Sequence, residues 1–95
     1  MNEYIFIMLQ DSTGRKYFCN EKYLEAISQF AKNFNLQMFY VKSKKIKALT
    51  MNGLAKAFCN QNYIDYTEEY EVLSAIKPPA KRPELSVRTK KIKSV

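Results

Sequence analysis

The 95-residue chain has no histidine and no tryptophan, and only two glycines and two cysteines. The lack of histidine removes the commonest general base and excludes a Ser-His or Cys-His nucleophile pair. Gly14 and Gly53 are too few and too far apart to build a phosphate-cradling loop. Cys19 and Cys59 match neither a disulfide framework nor a zinc-ligand spacing, so both are expected to be small buried hydrophobes in a reducing cytosol. Long apolar runs are also missing. Tyr4 to Leu9 follows no positively charged segment and is too short for a signal peptide or a membrane span. These absences point to a soluble, cytoplasmic protein that is not an enzyme, needs no cofactor or metal and does not associate with membranes.

What is present suffices for one core. Hydrophobic residues make up 46% of the chain and include seven tyrosines and six phenylalanines, a globular composition at a length that supports one domain. Tyr4 to Leu9 is β-branched and aromatic and reads as a strand, closed by the turn cluster Asp11-Ser12-Thr13-Gly14. Arg15 to Cys19 then reads either as the return arm of a hairpin or as irregular chain. Asn20 is a good N-cap, and Tyr23, Ile27, Phe30 and Phe34, with Leu24 and Ala31, form the stripe of an amphipathic helix over 21–34.

Leu36 to Val41 reads as another strand, followed by the charged turn Lys42-Ser43-Lys44-Lys45. Ile46 to Leu49 is expected to be a short strand. Thr50 then caps a helix with Met51, Leu54, Ala55, Phe58 and Cys59 at helical spacing, the rival being a hairpin turning at Asn52-Gly53. Glu69 to Ile76 reads as the last strand, stopped by Pro78-Pro79. Without the optional hairpin the order is βαββαβ. That is the ferredoxin-like plan of the α+β class, an antiparallel sheet with two helices on one face. The domain is expected over residues 1–77, followed by a flexible arm over 78–95.

Charge is distributed unevenly. From Lys77 onward seven basic residues stand against the single Glu84, six of the formal net charge of +7. A nearly neutral body with a basic arm suggests a polyanion partner. Candidate phosphate contacts are Lys81, Arg82, Arg88, Lys90, Lys91 and Lys93 in the arm, with Lys42, Lys44, Lys45 and Lys47 as a second cluster. The commoner role of such a lysine-rich turn is a solvated turn that discourages edge pairing.

The first strand is apolar on both faces, so one set of its side chains needs a cover other than the helices. If Tyr4, Phe6 and Met8 stay open, they offer a base-stacking platform or a dimer or partner surface, unless a crossing loop or tail segment covers them. Asp65, Glu68, Glu69 and Glu71, mixed with Tyr63, Tyr66 and Tyr70, match no calcium loop and suggest a protein-contacting patch or a dock for the arm. Two functions follow. One is a small nucleic-acid-binding accessory or regulatory protein, for DNA or RNA, acting through its arm. The other is a protein-interaction module, such as a small viral or mobile-element regulator or inhibitor, with Tyr66 and Tyr70 on its binding surface.

Overall fold

The computed structural model describes residues 3–79. The elements are β1 (Tyr4–Gln10), β2 (Lys16–Asn20), a 3-10 turn (Glu21–Tyr23), α1 (Leu24–Phe34), β3 (Gln37–Ser43), α2 (Met51–Cys59) and β4 (Glu71–Ile76). All but the first two residues of the expected arm, 78–95, lie outside the described residues.

The early hairpin forms because one carboxylate organises its turn. Asp11 Oδ1 accepts hydrogen bonds from the Thr13 amide (3.0 Å), the Thr13 hydroxyl (2.6 Å) and the Arg15 amide (2.9 Å). Gly14, at φ 92°, takes the left-handed conformation that closes the turn without a Cβ clash. At the other end of β2, Asn20 accepts from the Lys22 amide and starts the 3-10 turn that leads into α1. Asn35, at φ 59°, ends α1 in an αL cap.

The four strands form one antiparallel sheet in the order β2-β1-β3-β4. The chain order is therefore ββαβαβ, which replaces the βαββαβ order expected from the sequence. Two things shift it. The Asp11 turn makes β2 a real strand beside β1, and Ile46 to Leu49 forms no ladder strand. That stretch contributes only an isolated parallel bridge between Leu49 and Cys19.

Strand alternation sorts the core into two layers. Ile7, Leu9, Tyr17, Cys19 and Met38 pack with Leu24, Ile27 and Ala31 of α1 and Leu54 and Ala57 of α2. Phe6, Met8, Phe18 and Val41 form a second buried cluster, and their register pairings place them on the opposite face. Both helices thus serve the first layer, as expected.

The helical stripes are shifted. In α1, which starts at Leu24 after the 3-10 turn and not at 21 as expected, the buried positions are Leu24, Ile27, Ser28 and Ala31; Phe34 and, in the turn, Tyr23 are exposed. In α2 they are Leu54 and Ala57, so Ala55 falls outside the stripe. Cys59 is exposed, a correction to its expected burial, because it too lies off the Leu54–Ala57 face.

Candidate nucleic-acid interface

Residues 44–49 form a strap that crosses the sheet face left bare by the helices. It begins at Ser43, buried at the end of β3, whose hydroxyl donates to the Glu69 carbonyl (2.7 Å) and accepts from the Lys45 amide (3.3 Å). It finishes at the β2 edge, where the Leu49 amide donates to the Phe18 carbonyl (2.8 Å). The Thr50 hydroxyl then accepts from the Gly53 amide (2.9 Å) and caps α2, so Asn52-Gly53 is helical and not a hairpin turn.

Between these anchors the strap alternates. Ile46 and Ala48 pack onto the cluster of Phe6, Met8, Phe18 and Val41, whereas Lys44, Lys45 and Lys47 are exposed. The crossing loop therefore covers Phe6, 9% exposed, and Met8, 3% exposed. This corrects their reading as an open platform or partner surface: the stacking groups are under the strap. Tyr4, from the same expected set, remains 56% exposed at the start of β1.

Of the four clustered lysines, Lys42 separates from the rest. Its Nζ lies 3.6 Å from Glu3 Oε1 and 3.8 Å from Glu71 Oε1, which satisfies its charge within the fold. Glu3, Glu69 and Glu71 also line the neighbouring cavity of about 190 Å³ with Lys42 and Lys44, which disfavours phosphate inside it and makes Lys44, exposed at its rim, a weaker phosphate contact than Lys45 and Lys47. Lys44, Lys45 and Lys47 have no carboxylate within salt-bridge distance among the described residues. They form a cationic row on an anchored backbone.

Lys81, Arg82, Arg88, Lys90, Lys91 and Lys93 lie outside the described residues. The point from which they extend is nevertheless defined. β4 ends at Ile76, opposite Met38, whereas the strap leaves β3 after Ser43. The arm's root and the strap's start are thus at opposite ends of β3, roughly 17 Å apart at strand rise. The sixteen residues after Pro79 have a maximum reach of about 50 Å, enough to close that separation.

The tyrosine and acid segment is only partly a surface. Tyr70 meets Phe18 edge-on at 5.3 Å, and its hydroxyl accepts from Lys16 Nζ (3.2 Å), so it helps to cover the second core cluster. Tyr63 stacks on Tyr17 at 5.7 Å and donates to Asp65 Oδ2 (3.3 Å); burial first, then the Asp65 charge, pushes its hydroxyl up to about 12. Asp65 also accepts from the Thr67 amide (2.8 Å). Tyr66, by contrast, is 79% exposed, with Ile64 at 57%. No cluster of three or more metal-ligating side chains occurs among the described residues, and no helix there is long and apolar enough to cross a membrane.

One organising residue carries no local sequence signal. Arg15 Nη2 donates to the carbonyls of Ala57 (3.3 Å) and Asn60 (2.6 Å), so a cation from the hairpin binds the C-terminal end of α2. This contact ties the C-terminal end of α2 to the β1–β2 hairpin. No protein-family model, curated protein or solved structure matches the chain, so the functional reading stands on this geometry and on the charge of the arm.

Proposed function

We propose that the protein is a small nucleic-acid-binding accessory or regulatory protein. It grips phosphates with Lys44, Lys45 and Lys47 on the strap and with the basic residues of its C-terminal arm. The supporting observation is the strap's alternation: Ile46 and Ala48 hold it against the core while three lysines with no carboxylate partner among the described residues face solvent. Cations held on a fixed backbone lose less freedom on binding phosphate than cations on a loose turn. With Phe6 and Met8 covered, the reading does not include base stacking on the sheet; contacts to phosphate supply affinity and position rather than sequence selectivity.

The test is fluorescence-anisotropy titration of single- and double-stranded DNA and RNA across a salt series. The full chain is compared with a chain ending at Pro79 and with the Lys44→Ala/Lys45→Ala/Lys47→Ala variant. Binding that persists near physiological salt and weakens in both variants supports the proposal. Binding that disappears with rising salt for every polymer alike, and is indifferent to the strap, overturns it.

A second reading, a protein-interaction module of the kind a virus or mobile element uses against a host protein, draws on Ile64 and Tyr66. Both are exposed apolar side chains on the long segment between α2 and β4. It predicts that Tyr66→Ala removes a partner complex while leaving salt-dependent polyanion binding unchanged.

A further inference from the structure

The two edges of the sheet are treated differently. At β2 the outer rim is engaged by the strap through the Leu49–Phe18 hydrogen bond. At β4, the other edge, no described segment pairs with the outer rim. Glu71 through Ala75 are all exposed, with Val72 at 50% and Leu73 at 43%. Edge strands are commonly guarded by inward or central charges. Here the central residues are Val72, Leu73, Ser74 and Ala75, and the charges, Glu71 and Lys77, stand only at the two ends.

We infer that this edge pairs with the β4 edge of a second copy, joining two four-stranded sheets across a two-fold axis. Charge supports this occupant. Antiparallel pairing sets the acidic entry to β4 (Glu68, Glu69 and Glu71) beside Lys77 of the second copy, in both directions at once.

The bulge in β4 allows a register that engages the whole strand. Against β3, Glu71, Ser74 and Ile76 pair with Lys42, Tyr40 and Met38 on the helix side, while Val72 and Ala75 pair with Val41 and Phe39 on the strap side. Leu73 is the extra residue between them. Residues facing each other across a two-fold antiparallel pair must point to the same side of the sheet. Pairing Val72 with Ala75 and Glu71 with Ile76 of the second copy meets that condition, with the axis between Leu73 and Ser74, and is the register in which all six β4 residues are paired. The larger Val72 then meets the smaller Ala75, which is one of the residues lining a cavity of about 390 Å³. The inference is independent of the polyanion reading, and its test contains no nucleic acid.

Sedimentation velocity of the full chain in reducing buffer is expected to show twice the chain mass. The Val72→Lys/Leu73→Lys variant is expected to run at the chain mass with its circular dichroism preserved, because both positions are exposed in the single chain, and with a thermal midpoint that no longer rises with protein concentration as the wild-type dimer's does. A second measurement fixes the register. In a Cys59→Ser background, Val72→Cys/Ala75→Cys should oxidise to a covalent dimer on a non-reducing gel, whereas Val72→Cys/Ile76→Cys, on opposite faces, should not. A wild-type chain that stays at the chain mass at its highest soluble concentration overturns the inference. So does a dimer that survives Val72→Lys/Leu73→Lys, or failure of the Val72→Cys/Ala75→Cys cross-link.

Discussion

Cys19 and Cys59 are chemically alike in the unfolded chain and sharply different in the folded one. Cys19 is 1% exposed beneath the helices, and burial pushes its thiol from 9.0 up to about 12; Cys59 is exposed in the last turn of α2. A disulfide-exchange thiol reagent near pH ~8 should therefore consume one thiol quickly and the second only after denaturant. Rapid reaction of both would contradict the buried position of Cys19. The same shift fixes a sign. The folded state favours the neutral thiol, so stability is full below pH 9.0 and declines as pH rises toward 12. A Cys19→Ala variant should show a flatter decline in thermal midpoint across that range. Asp11 acts in the opposite sense. Its partial burial raises the carboxyl, but hydrogen bonds from Thr13 and Arg15 outweigh that and hold it below 3.8. Stability from Asp11 is thus full above 3.8 and is lost as pH falls below it. Asp11→Ala should cost about 1–2 kcal/mol at neutral pH in denaturant titrations and remove part of the acid limb of the stability profile.

The strap is the element on which both core layers depend, since it covers one and then delivers Thr50 to cap the helix that covers the other. Ile46 is only partly buried, so Ile46→Ala should cost about 1–2 kcal/mol, below the ~2–5 kcal/mol of a fully enclosed site. It should also increase binding of a hydrophobic dye as Phe6 and Met8 open. Thr50→Ala should cost about 1 kcal/mol through the lost cap. Equal stability of both variants and wild type in urea titrations would show that the strap is not a structural cover. The fold was legible where its chemistry is local. Asn20 and Thr50 act within three residues of themselves, and the Asp11 turn closes within four. The strap was not. Lysines at 45 and 47 alternating with apolar residues at 46 and 48 give the same period as a half-buried strand, and only the distant Phe18 and Met8 show that this is a cover. The role of β1 was hidden for a related reason: a strand apolar on both faces does not indicate which face the helices take. Arg15 gave no signal at all, because its carbonyl partners lie 42 and 45 residues away.

At the scale of the whole molecule, the question is whether strap and arm act on one polyanion. Each neutralised phosphate on duplex DNA adds about 0.9 to the slope of log affinity against log salt. Replacing Lys44, Lys45 and Lys47 should therefore reduce that slope by about 2–3, and removing residues 80–95, with six basic side chains, by at most about 5. The arm starts at the end of β3 opposite the strap's origin, so the two sets of charges meet the same polymer only if the arm folds back along it or the polymer extends past both. Duplex length separates these cases. On a duplex long enough to pass both regions, the two losses should add when strap and arm variants are combined. On a short duplex that fits the strap alone, the arm deletion should change the slope less than it does on the long one. If the strap substitutions leave every slope unchanged, Lys44, Lys45 and Lys47 are the solvated outer face of a cover, and the polyanion reading rests on the arm alone.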